Sequence, residues 1–434
     1  MLLNYDRMHQ LMDQYEIDAI VASTPENLLY FADYSPWQMW TYRGNTAAKG
    51  TQAYAIIPRR TDMKPAVVPI GANYTALVYP AQFPGWVTEF YPYHNVNSWP
   101  GEIPDVPFED DQPDTPQEVI RLRALTEKFK PNATSSAGEA LVKALRDRDL
   151  EKGTIAIETY GFNAAVLDYL KRELPELVLK EGAEFMRMIR AVKTPQEIFY
   201  LRRAGEINEK AFQHILNLMH PGISTAELAL EHRKILAAEG AYPSFLNISV
   251  AGHPGTMFEP NNYKLRKGDV VWMDGGCYFN HYHADTGLCL AVGEPTKRMR
   301  EVWDAIEEAL AAAKAVCRPG NRSSEVYNAM HVILQKHGFK VPFAMGHGIG
   351  LEERDYPLAL GNSGNIGVGQ NIDFNDPILT GSKDLILEPN MVMCVEPVCF
   401  EWGTGGIKAE ETVLITPTGY EMLFAHERIF TINR

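Results

Sequence analysis

The stretch Gly268–Gly287, GDVVWMDGGCYFNHYHADTG, decides the fold of the second half of this chain. Val270–Asp274 reads as an apolar strand that ends in a carboxylate, and the chain then passes two glycines and reaches Asp285 before a second apolar run. A carboxylate at the end of a buried strand is costly unless it is paired or bound to a metal. The stretch therefore predicts two short strands around an acidic, cation-binding centre, although Asp285 taken alone is equally compatible with a turn.

Three stretches further along carry residues suited to the same centre. His347 lies in the run GHGIG, where small neighbours leave the imidazole reachable. Glu396 lies in the buried-type strand MVMCVEP, where an unpaired glutamate is expensive. Glu410 and Glu411 are adjacent in a strand, so only one of them can face the centre. Spacing alone does not choose between these two.

Four carboxylates and one histidine form a hard, oxygen-rich ligand set. Such a set suits Mn²⁺, Fe²⁺, Co²⁺ or Zn²⁺, and bridging carboxylates favour two divalent ions over one. The set lacks cysteine, which argues against a structural zinc. The five cysteines of the chain form no CxxC pair, and we interpret them as small buried packing residues. The prediction is a two-metal site that lowers the pKa of a shared water.

The second half also contains two similar stretches of sequence. Residues 221–240 (PGISTAELALEHRKILAAEG) and 319–338 (PGNRSSEVYNAMHVILQKHG) both run from Pro-Gly through a Ser-initiated helix to a glycine. A long amphipathic helix precedes each of them, over Gln196–Met219 and Lys297–Val316, and strands with two acidic residues follow. We interpret this internal similarity as a duplicated helix–helix–strand unit. Chance similarity between two capped helices is the alternative.

Residues 1–182 are predicted to form a smaller α/β domain, and residues 183–434 the catalytic domain. The clearest elements of the first domain are the strands Asp18–Ser23 and Gln52–Ile57 and the helices Leu141–Leu150 and Asn163–Leu174. The stretch Pro100–Pro116, rich in Pro, Asp and Glu, predicts an exposed loop. Thr194-Pro195-Gln196-Glu197 is a strong helix start close to the boundary, with an N-cap Thr and a Glu three residues later.

The composition excludes several classes of partner. The net charge of −14 argues against nucleic acid, which requires a concentrated basic surface. No apolar run reaches the roughly 18 residues that a membrane-spanning helix needs. Asp6 and other polar residues stand where a signal peptide would have its apolar stretch. We expect a cytoplasmic protein that acts on a small molecule.

The strings GDVVWMDGG with HADT, GHGIGL, LEPNMVMCVEP and GIKAEETVLIT, in this order, resemble the pita-bread metallopeptidase family of methionine aminopeptidase, Xaa-Pro aminopeptidase, prolidase and creatinase. The likeness covers about residues 185–434, and the two-domain layout is similar to the creatinase/prolidase branch. It implies a C-terminal pita-bread α+β domain, a smaller N-terminal α/β domain and a homodimer. It also favours Glu410 over Glu411 and gives Glu396 a second role as acid/base. The metal ligands that it implies are Asp274, Asp285, His347, Glu396 and Glu410.

Two positions depart from the peptidase pattern of that family. Glu259 stands where the resemblance leads us to expect a histidine before the first Asp strand. After GHGIGL the chain reads EERDYP, so Arg354 replaces a histidine expected to contact substrate. An arginine cannot act as an acid or base near neutral pH, but it can clamp a carboxylate. The alternative is that Arg354 turns outward and pairs with Asp355 or Glu353.

Other candidate substrate contacts follow from position. His283 shares one face of its strand with Asp285 and could line the pocket, or it could be packed or solvent-facing. The Gly/Asn-rich stretch Leu358–Asp384 is long enough to suggest a lid or rim loop, with a peripheral insertion as the alternative. An aromatic-plus-arginine cluster could recognise substrate, although core packing is the default for its tryptophans. This cluster consists of Trp37, Trp40, Tyr42 and Arg43.

The resulting prediction is a dinuclear metal-dependent hydrolase, similar to Xaa-Pro peptidases, that cleaves an amide C–N bond of a dipeptide or other small substrate with metal-bound hydroxide. A non-peptide amide, as in the ectoine-hydrolase-like branch, is a close alternative. A C–S lyase similar to the dimethylsulfoniopropionate lyase branch is the runner-up, with Glu353 or Asp355 as the base. A catalytically silent binding module is the last alternative, and the five intact ligand positions argue against it.

Overall fold

The computed structural model describes residues 2–35, 52–69, 86–93, 120, 124, 128, 130–250, 259–339, 344–360, 384–401 and 405–432. These residues fall into two compact units, one that ends at Ile189 and one that begins at Arg190. Both units combine helices and sheets, which confirms the predicted two-domain α/β architecture. Within the described ranges, no helix has the combination of length and apolarity that a membrane crossing requires. The predicted loop Pro100–Pro116 lies outside them.

The part of the first unit that the structure describes is built around a six-stranded sheet. Its strands are β1 (Ala19–Ala22), β2 (Tyr54–Pro58), β3 (Ala66–Val68), β4 (Glu89–Phe90), β5 (Gly153–Ile157) and β6 (Leu177–Glu181). Its helices are α1 (Tyr5–Gln14), α2 (Pro25–Ala32), α3 (Ala137–Arg146), α4 (Ala164–Glu173) and α5 (Ala183–Arg190), the last of which reaches the boundary. The strand order is β4-β3-β2-β1-β5-β6, with β1 antiparallel to β2 and parallel to β5.

The predicted elements of the first unit are present, with one shift. Both predicted strands appear, and the predicted helix over Asn163–Leu174 is α4. The helix predicted over Leu141–Leu150 begins four residues earlier, as α3, because the Ser136 hydroxyl accepts the N–H of Glu139 and caps it. It also ends earlier, and Asp149 has a positive φ of 51°, which is incompatible with a continuing helix.

In its described residues, the second unit holds two larger sheets and one small one. Its helices are α6 (Pro195–Leu218), α7 (Thr225–Ala238), α8 (Lys297–Val316) and α9 (Ser323–Lys336). Its strands are β7 (Tyr242–Val250), β8 (Val270–Phe279), β9 (Tyr282–Val292), β10 (Ala344–Gly348), β11 (Asp355–Leu360), β12 (Val392–Val395), β13 (Val398–Glu401), β14 (Gly405–Lys408), β15 (Glu411–Thr416), β16 (Gly419–Met422) and β17 (Thr431–Ile432). The sheet orders are β17-β9-β8-β7, β11-β10-β12-β15-β16 and β13-β14.

The internal similarity of the sequence corresponds to a repeated arrangement of helices and strands. The helix pair α6–α7 precedes the sheet of β7, β8 and β9, and the pair α8–α9 precedes the sheet of β10, β12 and β15. Thr194 and Ser224 cap α6 and α7, each with a glutamate three residues later that bonds back to the cap. The duplicated helix–helix–strand prediction is therefore confirmed as architecture.

The strands in and around Gly268–Gly287 are longer than the two short strands predicted. β8 and β9 pair over ten registered positions and form one antiparallel hairpin. Its tip is Asn280 and His281, both with positive φ (47° and 70°), as a two-residue type I′ turn requires. The glycines do not break β8, because Gly275 and Gly276 pair within the ladder opposite Thr286 and Asp285.

The first turn of α6 contains a buried acid that predicts a pH dependence of stability. Glu197 is 1% exposed, and burial raises its pKa from 4.5 to about 7, although Lys193 and hydrogen bonds from Thr194 and Tyr282 act in the opposite direction. The folded state therefore holds this proton where the unfolded chain has released it. The free energy of unfolding should fall as pH rises from about 4.5 to about 7, and Glu197→Gln should flatten that slope in urea titrations. An identical slope in the variant would contradict this account.

Candidate metal centre

The β8–β9 hairpin places the first two acids of the candidate site. Asp274 lies opposite Gly287, and Asp285 lies opposite Gly276, so each acid faces a glycine across the ladder. A side chain at Gly287 would overlap Glu410 and Lys408, which shows that the glycine leaves room for groups from other strands. Asp285 is buried, and the side chain of Asp274 is 14% exposed.

The sheet of the second repeat supplies the remaining candidates. His347 in β10 pairs with Cys394 in β12, and Cys394 pairs in turn with Thr412 in β15. Glu396 follows the end of β12, and Glu410 immediately precedes β15. Each of these two glutamates is thus held at a strand end, where the backbone is fixed by the ladder on one side.

The five candidate side chains converge on one small volume. Ligand atoms of Asp274, Asp285 and Glu410 all lie within 4.8 Å of one another, and those of His347, Cys394 and Glu410 form a second such group. His347 Nε2 is 3.5 Å from Asp285 Oδ2 and 3.7 Å from a Glu396 oxygen, Oε1. Because Glu410 belongs to both groups, its position suits a carboxylate that bridges two ions.

The electrostatics of this cluster are those of crowded buried carboxylates. Burial raises the pKa of Asp274 to about 7, with Lys408 opposing the shift and the charges of Asp285 and Glu396 adding to it. Burial likewise raises the pKa of Glu410 well above its usual range. Burial acts to raise the pKa of Asp285 too, but His347 and Lys408 outweigh it and the pKa is lowered. A divalent cation would relieve this repulsion.

Several buried polar atoms of the cluster have no hydrogen-bond partner among the residues that the structure describes. These atoms are Asp274 Oδ1, Asp285 Oδ1, Glu410 Oε1 and His347 Nε2. The other ring nitrogen of His347 is satisfied, because Nδ1 lies 2.9 Å from the carbonyl oxygen of Gly348. Buried polar atoms are normally paired, and a histidine whose Nδ1–H binds a carbonyl presents Nε2 as a metal ligand. The residues present therefore fit a divalent metal site.

The neighbouring glutamates 410 and 411 point to different surroundings, as strand alternation requires. Glu411 is buried, but its carboxylate pairs with Lys314 and Arg428. Glu410 lies with the other carboxylates. The geometry thus selects Glu410 for the cluster and makes Glu411 a partner in a separate ion-pair network.

Sequence reasoning missed two residues of this cluster, Lys408 and Cys394. The ammonium of Lys408 is within 3.0 Å of oxygens of three carboxylates, and the Cys394 thiol lies beside His347 and Glu410. The interpretation of all five cysteines as packing residues is therefore incomplete for Cys394. A usable signal was present, because Lys408 and Cys394 each stand two residues before a predicted ligand, and such residues share a strand face.

Glu353 and Arg354 lie close enough to the cluster to feel its charge. The side chain of Glu353 is partly buried, and burial together with the charge of Asp285 raises its pKa. The positive charge of Arg354 contributes to lowering the pKa of Asp285. Arg354 itself is exposed. The structure therefore places an acid with a raised pKa and an exposed cation within electrostatic reach of the candidate ligands.

The structure does not support Asp355 as a catalytic base. Its side chain is 0% exposed, and both of its oxygens accept hydrogen bonds from Arg190 at 3.3 Å. Lys193 lies 3.6 Å away and is equally buried. A carboxylate held between two buried cations is not available to a substrate, so Asp355 is an ion-pair partner.

The remaining predicted substrate contacts have mixed outcomes. His283 is buried on the same strand as Asp285. Its backbone N–H donates to the carbonyl of Gly350, and its ring packs against Tyr278. Glu259 is exposed, and no contact between its side chain and the cluster occurs among the described residues. Positions 361–383 of the long loop lie outside the described residues, although Asp384 caps the start of α9. The aromatic-plus-arginine cluster of Trp37, Trp40, Tyr42 and Arg43 also lies outside them.

Comparisons with known proteins show the family of this chain. The model of metallopeptidase family M24 matches residues 200–417, about half of the chain. This chain belongs to metallopeptidase family M24. It is 27% identical over 254 residues to the Xaa-Pro dipeptidase of Pyrococcus furiosus, covering 57% of this chain and 67% of that protein. It is 27% identical over 274 residues to a peptidase of Bacillus subtilis, covering 62% and 70%.

Solved structures of this metallopeptidase family share the fold. The Xaa-Pro dipeptidase from Bacillus anthracis matches with a TM-score of 0.69 at 20% identity, covering 98% of each chain. Aminopeptidase P from Escherichia coli in complex with substrate, as its Glu383Ala variant, matches with a TM-score of 0.62 at 19% identity, covering 96% of this chain and 93% of that one. The predicted pita-bread metallopeptidase resemblance is confirmed. The M24 chain is a metal-dependent hydrolase related to Xaa-Pro dipeptidases.

Proposed function

We propose that this M24 hydrolase binds two divalent ions, with Mn²⁺ as the leading candidate, and cleaves Xaa-Pro dipeptides. The carrying observation is the convergence of Asp274, Asp285, His347, Glu396 and Glu410, several of whose buried atoms have no protein partner among the described residues. The dipeptide substrate rests on the relatives named Xaa-Pro dipeptidase. The comparisons do not favour the amidohydrolase and lyase alternatives.

The proposed ligands are the four carboxylates and Nε2 of His347, with Glu410 shared. Ions held there would polarise the scissile carbonyl and lower the pKa of a water molecule. Glu396 is suited to take up a proton, because its side chain is 16% exposed whereas that of Glu410 is 0% exposed. A substrate can reach the former and not the latter.

Glu353 and Arg354 supply the other proposed functions. Because the pKa of Glu353 is raised by burial and by Asp285, this carboxyl can hold a proton nearer to neutral pH and donate it to the departing amine. Arg354 is exposed beside the cluster and always charged, so it can bind the C-terminal carboxylate of a dipeptide. The missing peptidase histidine would then be replaced by a carboxylate clamp.

The test is a matched pair of substrates, an Xaa-Pro dipeptide and its C-terminal amide. Mn²⁺-loaded wild-type protein should release proline from the dipeptide. Arg354→Gln should raise KM for the dipeptide by about 10- to 100-fold, the size of a lost hydrogen bond to a charged group, and leave the amide unaffected. The measurement is steady-state kinetics with both substrates, after metal analysis of the purified protein.

Other outcomes would replace the proposal. Release of dimethyl sulfide from dimethylsulfoniopropionate would establish the lyase, and turnover of cyclic amides without dipeptides would establish the amidohydrolase. Equal effects of Arg354→Gln on the dipeptide and its amide would remove the carboxylate clamp. The matched control is Arg300→Gln, because Arg300 is an exposed arginine paired with Glu294 on the surface of α8.

Location and assembly are part of the same proposal. All five cysteines are buried and free of disulfides, as is usual in a reducing cytoplasm. The homodimer rests on the family resemblance of the two-domain layout. Sedimentation of the purified protein would test it directly.

A further inference from the structure

Lys408 is a buried cation inside the carboxylate cluster. It ends β14, two residues before Glu410, and its side chain is only 3% exposed. Its Nζ lies 2.8 Å from Asp274 Oδ2, 2.9 Å from Glu396 Oε2 and 3.0 Å from Glu410 Oε2. One ammonium thus contacts three of the five side chains that we propose as metal ligands.

The surroundings of Lys408 are built to hold it there. A Cβ at Gly287 would overlap the Lys408 side chain, so the glycine creates the space that the side chain fills. The Lys408 N–H donates to Cys289 Sγ at 3.2 Å, and its Nζ lies 5.9 Å from the ring centroid of Trp272. Backbone, packing and charge therefore agree on this position.

The oxygens that Lys408 contacts are not those nearest to His347. Lys408 approaches Oε2 of Glu396, whereas His347 faces Oε1 of the same carboxylate and Oδ2 of Asp285. The cluster thus has a histidine side and a lysine side. An ammonium and a divalent ion on the same carboxylate oxygens repel each other strongly in a buried site.

We propose that Lys408 is an internal counter-ion that competes with a divalent metal for the Asp274 side of the centre. The inference rests on the proposed two-metal function. It makes the two binding steps unequal: the ion on the His347 side binds tightly, and the ion on the Asp274 side binds only when the ammonium gives up its three carboxylates. At low metal concentration the lysine compensates the charge that the second ion would compensate.

The experiment measures metal affinity rather than turnover. Chelator-treated protein is titrated with Mn²⁺ against a chromophoric chelator, for wild type, Lys408→Met and Lys408→Arg. Lys408→Met should tighten the weaker step by about tenfold or more, because a charge on the same oxygens is removed, and move the tighter step much less. Lys408→Arg keeps the charge and should keep the weak step weak. Lys314→Met, which removes the cation beside Glu411 instead, is the matched control and should change neither step.

A second readout covers the case in which Lys408→Met folds poorly. Lys408→Gln keeps polar contacts without charge, and its thermal unfolding is followed with chelator and with saturating Mn²⁺. The metal-induced rise in Tm should be larger in Lys408→Gln than in wild type, since the chelated variant lacks its counter-ion. Unchanged or weakened Mn²⁺ binding in both neutral variants would overturn the inference. Absence of Mn²⁺ binding in wild type as well would instead overturn the two-metal function on which it rests.

Discussion

Glu410→Gln should lose at least one of the two divalent ions that we propose and lower kcat/KM by about 10³-fold or more. The magnitude follows because metal charge stabilisation supplies several kcal/mol, and each 1.36 kcal/mol is tenfold in rate. Glu410 belongs to both candidate ligand groups, so its replacement by the uncharged glutamine should weaken metal binding by both groups. Metal content of the dialysed protein and steady-state kinetics on an Xaa-Pro dipeptide measure the two effects.

The loss should not come from misfolding. Glutamine has the size and shape of glutamate, and burial favours an uncharged group at this position, as the raised pKa of Glu410 indicates. The matched control is Glu411→Gln, one residue away and also buried, but paired with Lys314 and Arg428. That variant should keep both ions and its activity while losing some stability. Metal loss in Glu411→Gln together with full metal content in Glu410→Gln would reverse the assignment.

Much of the fold could be predicted because its signals are local. The capping box at Thr194 and the Ser224 cap mark helix starts by side-chain chemistry that needs no tertiary context. The duplication could be seen because the two copies preserve the same spacing between turns. The extents of elements were less predictable: β8 and β9 form one hairpin because a ladder of ten registered pairs outweighs the low strand preference of two glycines.

The candidate site was predictable in its acids and not in its cation. A buried carboxylate in an apolar strand is conspicuous because its burial is costly. Lys408 was not conspicuous, because a lysine near a strand end is usually solvent-facing. Lys408 can be buried because Gly287, which lies 121 positions earlier in the chain, has no side chain and leaves the necessary space. The local sequence indicates the strand face of Lys408, two residues before Glu410, but it does not indicate the space at Gly287 that allows the side chain to be buried.

Asp355 is an acid whose ion-pair partners could not be predicted from the local sequence. Its replacement has the second large expected effect. Asp355→Ala should lower the free energy of unfolding of the second unit by about 3–5 kcal/mol, because it leaves Arg190 and Lys193 buried without their shared anion. Arg190 keeps its second partner, Glu352, at 2.5 Å. Urea unfolding of the metal-loaded protein, followed by fluorescence and circular dichroism, gives the value.

A double-mutant cycle separates the ion pair from a catalytic role. Arg190→Met with Asp355→Ala removes both charges, so the double variant should be less destabilised than the sum of the single variants. Asp355→Ala should also lower activity, because Glu353 and Arg354 lie between Glu352 and Asp355, the two residues that Arg190 binds. In the double variant, part of this activity should return together with stability. A catalytic base predicts the opposite: a stable Asp355→Ala protein with kcat abolished, and no rescue by Arg190→Met. The burial of both Asp355 oxygens against Arg190 is the reason to expect the ion-pair result.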